Sequence, residues 1–180
     1  MDDGAWVVGH GALVPKRSAV DRNGQLLGER IHGLIYRPVR PVPHDEGTLV
    51  EIARAEWSEL DLPIVQVHLT TTLEGRKRAW GLHERSTDRL FVIKGLISIV
   101  VYDGRSDSPT RGVVNEFKVS ERNPALLVIP PNLYHGWSNI GVDEAFILNM
   151  PSAQYDHERP DALDLPYDSE LAPTIVPFRW

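Results

Sequence analysis

Two histidines sit among neighbours that make chemistry readable from residue type and spacing. His83 closes the run Trp80-Gly81-Leu82-His83, with Asp88 shortly after it. His135 lies in Pro130-Pro131-Asn132-Leu133-Tyr134-His135-Gly136-Trp137. A buried imidazole beside a carboxylate can act as a general base with a tuned proton affinity. Two imidazoles and a carboxylate can instead hold a divalent metal with open positions. Both options stand at this stage, and function outweighs plain packing for this pair. His10, His32 and His157 have no converging partners and read as packed or surface residues. His68 faces opposite the apolar set of Ile64–Thr70, so lining a site and plain packing are evenly matched.

These side chains need elements to carry them. The chain has 180 residues, 42% hydrophobic and 24% charged, which suits one domain with one core. Gly and Pro number 14 each, which favours short elements joined by turns. Strands are expected at Leu34–Tyr36, Thr48–Ile52, Ile64–Thr70, Leu90–Ile93, Leu96–Tyr102, Val113–Val119, Ala125–Ile129 and Ala145–Leu148. Ala53–Leu60 reads as one or two helical turns, and a strand is possible at Trp6–Val8. Short strands with little helix predict a sandwich or barrel. Residues 1–30 read as an N-terminal arm and 31–180 as the barrel domain. Each of the two histidines is expected at a strand end beside turn residues, at the barrel mouth where ligand sites form.

Composition excludes several classes. The absence of cysteine removes disulfides, thiolate metal sites and a Cys nucleophile. A net charge of −6 argues against a broad nucleic-acid face. No run of 18 apolar residues is present and the N-terminus lacks a basic leader, so no membrane span is expected and the cytoplasm is the expected location. Asp156, Glu158, Asp161 and Asp164 read as a solvated acidic run. Trp57 reads as packing, and Trp80 and Trp137 as either packing or ring-stacking residues.

The spacing resembles the two cupin motifs. In the first, His83 falls on the second histidine, Asp88 on the acidic position and Gly95 on the last glycine, while Gly81 stands at the first histidine. The second resembles Pro130, His135 and Asn139, with Asn132 in place of its glycine. From about Ile31 onward the chain looks like the dTDP-4-dehydrorhamnose 3,5-epimerase family, a cupin branch acting on nucleotide-linked 4-keto-6-deoxy sugars. The strongest segment is Tyr102-Asp103-Gly104-Arg105-Ser106-Asp107-Ser108-Pro109-Thr110-Arg111-Gly112, similar to the family's D-x-R followed by S-P-T-x-G. Gly81-Leu82-His83, Ile129-Pro130 with His135-Gly136-Trp137, and Asn149-x-Pro151-x3-Tyr155 also match.

That resemblance implies an all-β, double-stranded β-helix (jelly-roll) barrel, a homodimer, a nucleotide-sugar substrate and no cofactor. His83 would be the general base, removing the proton alpha to the 4-keto group. His135 would bind or polarise the sugar, with Tyr155 near the site. Gln66 would contact the nucleotide and Glu51 the base-binding region. Trp80, Arg85, Arg89, Trp137 and Asn149 complete the expected binding set. The departures are Trp80 and Glu46 where the family carries arginine, Asp88 where it carries lysine, and Asn149 where it carries the tyrosine acid. The aspartate that pairs with the base lies in a C-terminal segment the chain is not expected to contain. A diphosphate wants guanidinium forks. Arg76, Lys77, Arg78, Arg85 and Arg89 either compensate or form a solvated loop. Loss of the acid favours a single-carbon epimerisation or a ketoisomerisation, with Tyr134 or Tyr155 as substitute acid. The alternatives are a metal-dependent cupin using His83, Asp88 and His135, and a non-catalytic sugar- or nucleotide-binding cupin.

Overall fold

The computed structural model describes Arg22 and residues 28–60 and 63–180. The expected strand at Trp6–Val8 lies outside these residues. In chain order the elements are β1 (Ile35–Pro38), β2 (Val42–His44), β3 (Gly47–Leu49), a 3-10 turn (Ser58–Leu60), β4 (His68–Thr72), β5 (Lys77–His83) and β6 (Asp88–Lys94). There follow β7 (Leu96–Tyr102), β8 (Val114–Ser120), β9 (Ala125–Ile129), β10 (Tyr134–Asn139), β11 (Ala145–Asn149), β12 (Ala162–Asp164) and α1 (Ala172–Ile175). All strand pairs are antiparallel.

Two five-stranded sheets, ordered β1-β9-β6-β11-β4 and β12-β5-β10-β7-β8, form the jelly roll, with β2-β3 as a separate hairpin. The period-2 rule assigns the faces. Leu90 and Val92 of β6, Ile97, Ile99 and Val101 of β7, and Leu127 and Ile129 of β9 meet in one buried cluster. Their outward neighbours are also covered. Phe91, Leu126 and Val128 pack with Val39, Leu60 and Met150 outside the first sheet. Val100 packs with Trp80, Ala172 and Val176 outside the second. Covering on both faces explains why β7 and β9 read as continuous apolar runs rather than alternations. β6 turns into β7 at Gly95, whose φ of +94° suits glycine.

The structure adds strands that sequence reading did not find. β2, β5, β10 and β12 were not expected, and the strand expected over Ile64–Thr70 begins only at His68. The helical turns expected over Ala53–Leu60 reduce to Ser58–Leu60.

Candidate active site

His83 and His135 lie at strand ends, on two strands that were not expected: His83 ends β5 and His135 is the second residue of β10. The strands pair with His135 opposite Gly81 and Trp137 opposite Arg78, so a bulge separates the two registers. Cross-strand partners share a face. His135 and Trp137 point inward, so Gly81 and Arg78 do too, although they are three residues apart. Gly136 permits this close approach. A Cβ there would collide with the Ala79 side chain and lie 2.9 Å from the Arg78 carbonyl oxygen.

Inward positions of β4, β5, β6, β10 and β11 open one end of the barrel into a cavity of about 370 Å³. Three side chains converge there. Asp88 Oδ2 lies 3.3 Å from His83 Nε2 and 3.2 Å from His135 Nε2. The two rings stack at 5.6 Å. Asn149 Nδ2 donates to Asp88 Oδ1 at 2.9 Å, and the Arg89 backbone N–H donates to Asn149 Oδ1 at 3.2 Å. His135 Nδ1 lies 3.0 Å from the Leu133 carbonyl oxygen and donates to it. With that proton on Nδ1, a further proton or a cation must separate Nε2 from the Asp88 oxygen. The Gly81 position, where a Cβ would meet His135 Nε2 at 3.5 Å, brings no fourth side chain.

The electrostatics follow from burial and these bonds. Burial pushes the Asp88 carboxyl up, but hydrogen bonds from His135 and His83 and their charge outweigh it and hold it far below the usual carboxylate range. The Asp88 hydrogen bond raises His83 above its ordinary value against the opposing effect of burial, and the charges of Asp88, Asp161 and Asp164 add to the rise.

Asp161 corrects two expectations. The base was expected to lack a C-terminal carboxylate partner, and Asp161 was expected in a solvated run. Instead Asp161 Oδ2 lies 3.9 Å from His83 Nδ1, and both Asp161 and Asp164 line the cavity. β12 explains this placement. Ala162 pairs with His83 and Asp164 with Gly81, so the C-terminal segment runs as an edge strand along β5. The backbone N–H groups of Arg85 and Ser86 fix the Asp161 carboxylate at 3.1 and 2.9 Å. Sequence offers only a short Ala-Leu-Asp run there, too brief for a period.

Of the other expected residues, Gln66, His68, Trp137, Asn149 and Tyr155 line the cavity. Gln66 Oε1 accepts the Tyr155 backbone N–H at 2.9 Å, joining the chain before β4 to the segment after β11. The structure does not bring Glu51, Trp80, Arg85 or Arg89 to the cavity. Glu51 pairs with Arg54 at 2.9 Å on the surface. Trp80 packs outside the second sheet with Phe178 and Trp180. Arg85 pairs with Asp161 at 3.2 Å and is largely exposed. Arg89 alternates with Asp88, so it points to the opposite face, donating to the carbonyls of Pro63 and Met150 at 3.2 and 3.1 Å. Tyr134 packs tilted against Tyr102 away from the cavity, leaving Tyr155 as the described tyrosine that lines it.

Residues 30–172 match the family described as dTDP-4-dehydrorhamnose 3,5-epimerase. The chain is 34% identical over 139 residues to the probable low-salt glycan biosynthesis epimerase Agl13 of Haloferax volcanii, covering 77% of this chain and 89% of that one. It is 30% identical to the spore coat polysaccharide biosynthesis protein SpsL of Bacillus subtilis, over 77% of this chain and 82% of the relative. Among solved structures, a dTDP sugar isomerase from Desulfovibrio desulfuricans G20 superposes with a TM-score of 0.75 at 25% identity, covering 83% of this chain and 92% of that one.

Proposed function

Because the chain belongs to the dTDP-4-dehydrorhamnose 3,5-epimerase family, we propose that it is a nucleotide-sugar epimerase of glycan or polysaccharide biosynthesis, with His83 as its base. The observation that carries this reading is His83 itself, held between Asp88 and Asp161 at the wall of the cavity. Asp88 accepts from Nε2, which leaves the lone pair on Nδ1. In the reaction, His83 takes the proton from the carbon alpha to the 4-keto group. The C–H electrons pass into the enolate, with negative charge on the keto oxygen. A proton returned to the opposite face inverts that carbon. Tyr155 is the described tyrosine that lines the cavity, and we assign its phenol the returning proton.

Asn149 limits the reaction. At the position where the family resemblance places the tyrosine acid, its amide is tied to Asp88 and cannot donate a catalytic proton. With an amide at the acid's expected position, we infer inversion at a single carbon, or ketoisomerisation, rather than double epimerisation. The test is solvent-deuterium uptake by a dTDP-4-keto-6-deoxy sugar, followed by NMR. Uptake at one of C3 and C5, abolished by His83→Asn, is expected. Undiminished uptake in His83→Asn would overturn the assignment.

A second reading has its own observation. His83, Asp88 and His135 offer donor atoms within 4.8 Å of one another. The His–Asp spacings of 3.2 and 3.3 Å match the roughly 3.0–3.4 Å between neighbouring ligands of a metal with bonds of about 2.1 Å. The donor set therefore fits a divalent ion, held by the two Nε2 atoms and Asp88 Oδ2. Such an ion would act as a Lewis acid toward a carbonyl oxygen. Elemental analysis after dialysis against Mn, Fe, Ni and Zn decides it: stoichiometric metal lost in His135→Ala supports this reading, and no bound metal removes it.

We further propose a cytoplasmic homodimer. Among the described residues no helix is long and apolar enough to cross a membrane. Among the described residues strand β4 pairs only with β11, and Val67, Leu69 and Leu73 at or beside that outer edge are exposed. Sedimentation equilibrium at the monomer mass would refute the dimer.

A further inference from the structure

We propose that Arg78 is the phosphate anchor of the cavity and that it sets the direction in which a nucleotide-linked sugar enters. This rests on the nucleotide-sugar reading above. Arg78 is the one lysine or arginine among the described residues that line the cavity. It pairs with no described carboxylate, and its guanidinium lies over the Trp137 ring at 5.7 Å from the centroid. That ring is itself fixed, because Trp137 Nε1 donates to Thr72 Oγ1 at 2.9 Å. The cation–π contact keeps the guanidinium on the Trp137 side of the cavity while its N–H donors stay available to an oxyanion.

The rest of the cavity sharpens the assignment by repulsion. Its carboxylates are Asp88, Asp161 and Asp164, all grouped around His83 and Gly81. A dianion is disfavoured at that end and attracted to the other. Five residue steps along the strand lead from Arg78 to His83, roughly 15 Å of backbone before the bulge shortens it. The diphosphate therefore lies beside Arg78 and Trp137, and the sugar reaches inward toward His83. Trp80, where an arginine was expected, faces the wrong side of β5 for this role. The bulge opposite Gly136 moves the role two residues back along the strand.

Isothermal titration with dTDP, UDP and GDP, with thymidine as the phosphate-free control, tests this on wild type, Arg78→Gln and Arg78→Lys. We expect wild type to bind at least one nucleoside diphosphate with marked salt dependence. Arg78→Gln should weaken that binding about tenfold or more, flatten the salt dependence and leave thymidine binding unchanged. Arg78→Lys should fall between. Equal binding by wild type and Arg78→Gln overturns the proposal, as does failure of wild type to bind all three diphosphates. His83→Asn separates the two claims: it should keep diphosphate affinity while losing deuterium exchange. Retained exchange would sink the base assignment and leave Arg78 to be judged by the titration alone.

Discussion

At the residue scale, Asn149 and Trp80 show how one position can change its role between sequence and structure. Asn149 satisfies the buried Asp88 carboxylate, so its effect on the reaction passes through that carboxylate. Asn149→Ala should cost about 1–3 kcal/mol of stability, measured by urea unfolding, because Asp88 Oδ1 loses its donor. It should lower kcat with little change in KM. Trp80 is 1% exposed within an aromatic cluster. Trp80→Ala should cost about 3–5 kcal/mol yet leave the KM of the folded fraction unchanged. A raised KM at full stability would restore a stacking role. His83 and His135 were legible because each sits in a compact local motif. Asp161 was not, and Arg78 stood undistinguished among five basic residues, since their places depend on pairings between strands that short sequence windows do not contain.

At the element scale, the strands read correctly were those with long apolar content. Leu96–Tyr102 and Ala125–Ile129 coincide with β7 and β9. β5 and β10, which carry the histidines, were missed for a common reason. Each contains a glycine in its middle and mixes polar with aromatic residues, and the bulge breaks the period-2 pattern. Gly136 holds that bulge together. Gly136→Ala should destabilise the fold by about 1–3 kcal/mol or more, since a new methyl meets Ala79 and the Arg78 backbone. Nucleotide affinity and deuterium exchange should fall together in this variant, because Arg78 and His135 are displaced as one. Loss of one function without the other, seen in paired titration and NMR assays, would contradict a shared bulge.

At the scale of the whole molecule, the segment that most resembles the family lies outside the cavity. Asp103 is fully buried and accepts from Arg105, Ser108 and Thr110, at 2.8, 2.6 and 2.7 Å to Oδ2. Arg105 also donates to the His32 carbonyl, and the His32 N–H donates to Thr110 Oγ1. The motif thus ties the start of the barrel to the loop after β7. Burial raises the Asp103 carboxyl, but these hydrogen bonds outweigh it and hold it well below its ordinary 3.8. A depressed folded value gives stability that is present above the ordinary value and lost as pH falls. Wild type should therefore exceed Asp103→Asn by about 3 kcal/mol near neutral pH. The gap should narrow as the pH is lowered below 3.8, as read from urea midpoints. A pH-independent gap would show that packing alone is responsible.

The placement of the tryptophans has an optical consequence. Trp137 borders the cavity under the Arg78 guanidinium, whereas Trp80 and Trp180 lie 5.1 Å apart on the far side of the same sheet. Ligand occupancy should therefore alter the emission of one indole, while loosening of the C-terminal cover should alter the near-ultraviolet dichroism of the other two. Removing Trp137 as Phe would silence the first signal and leave the second, so the two events can be timed separately in one unlabelled sample.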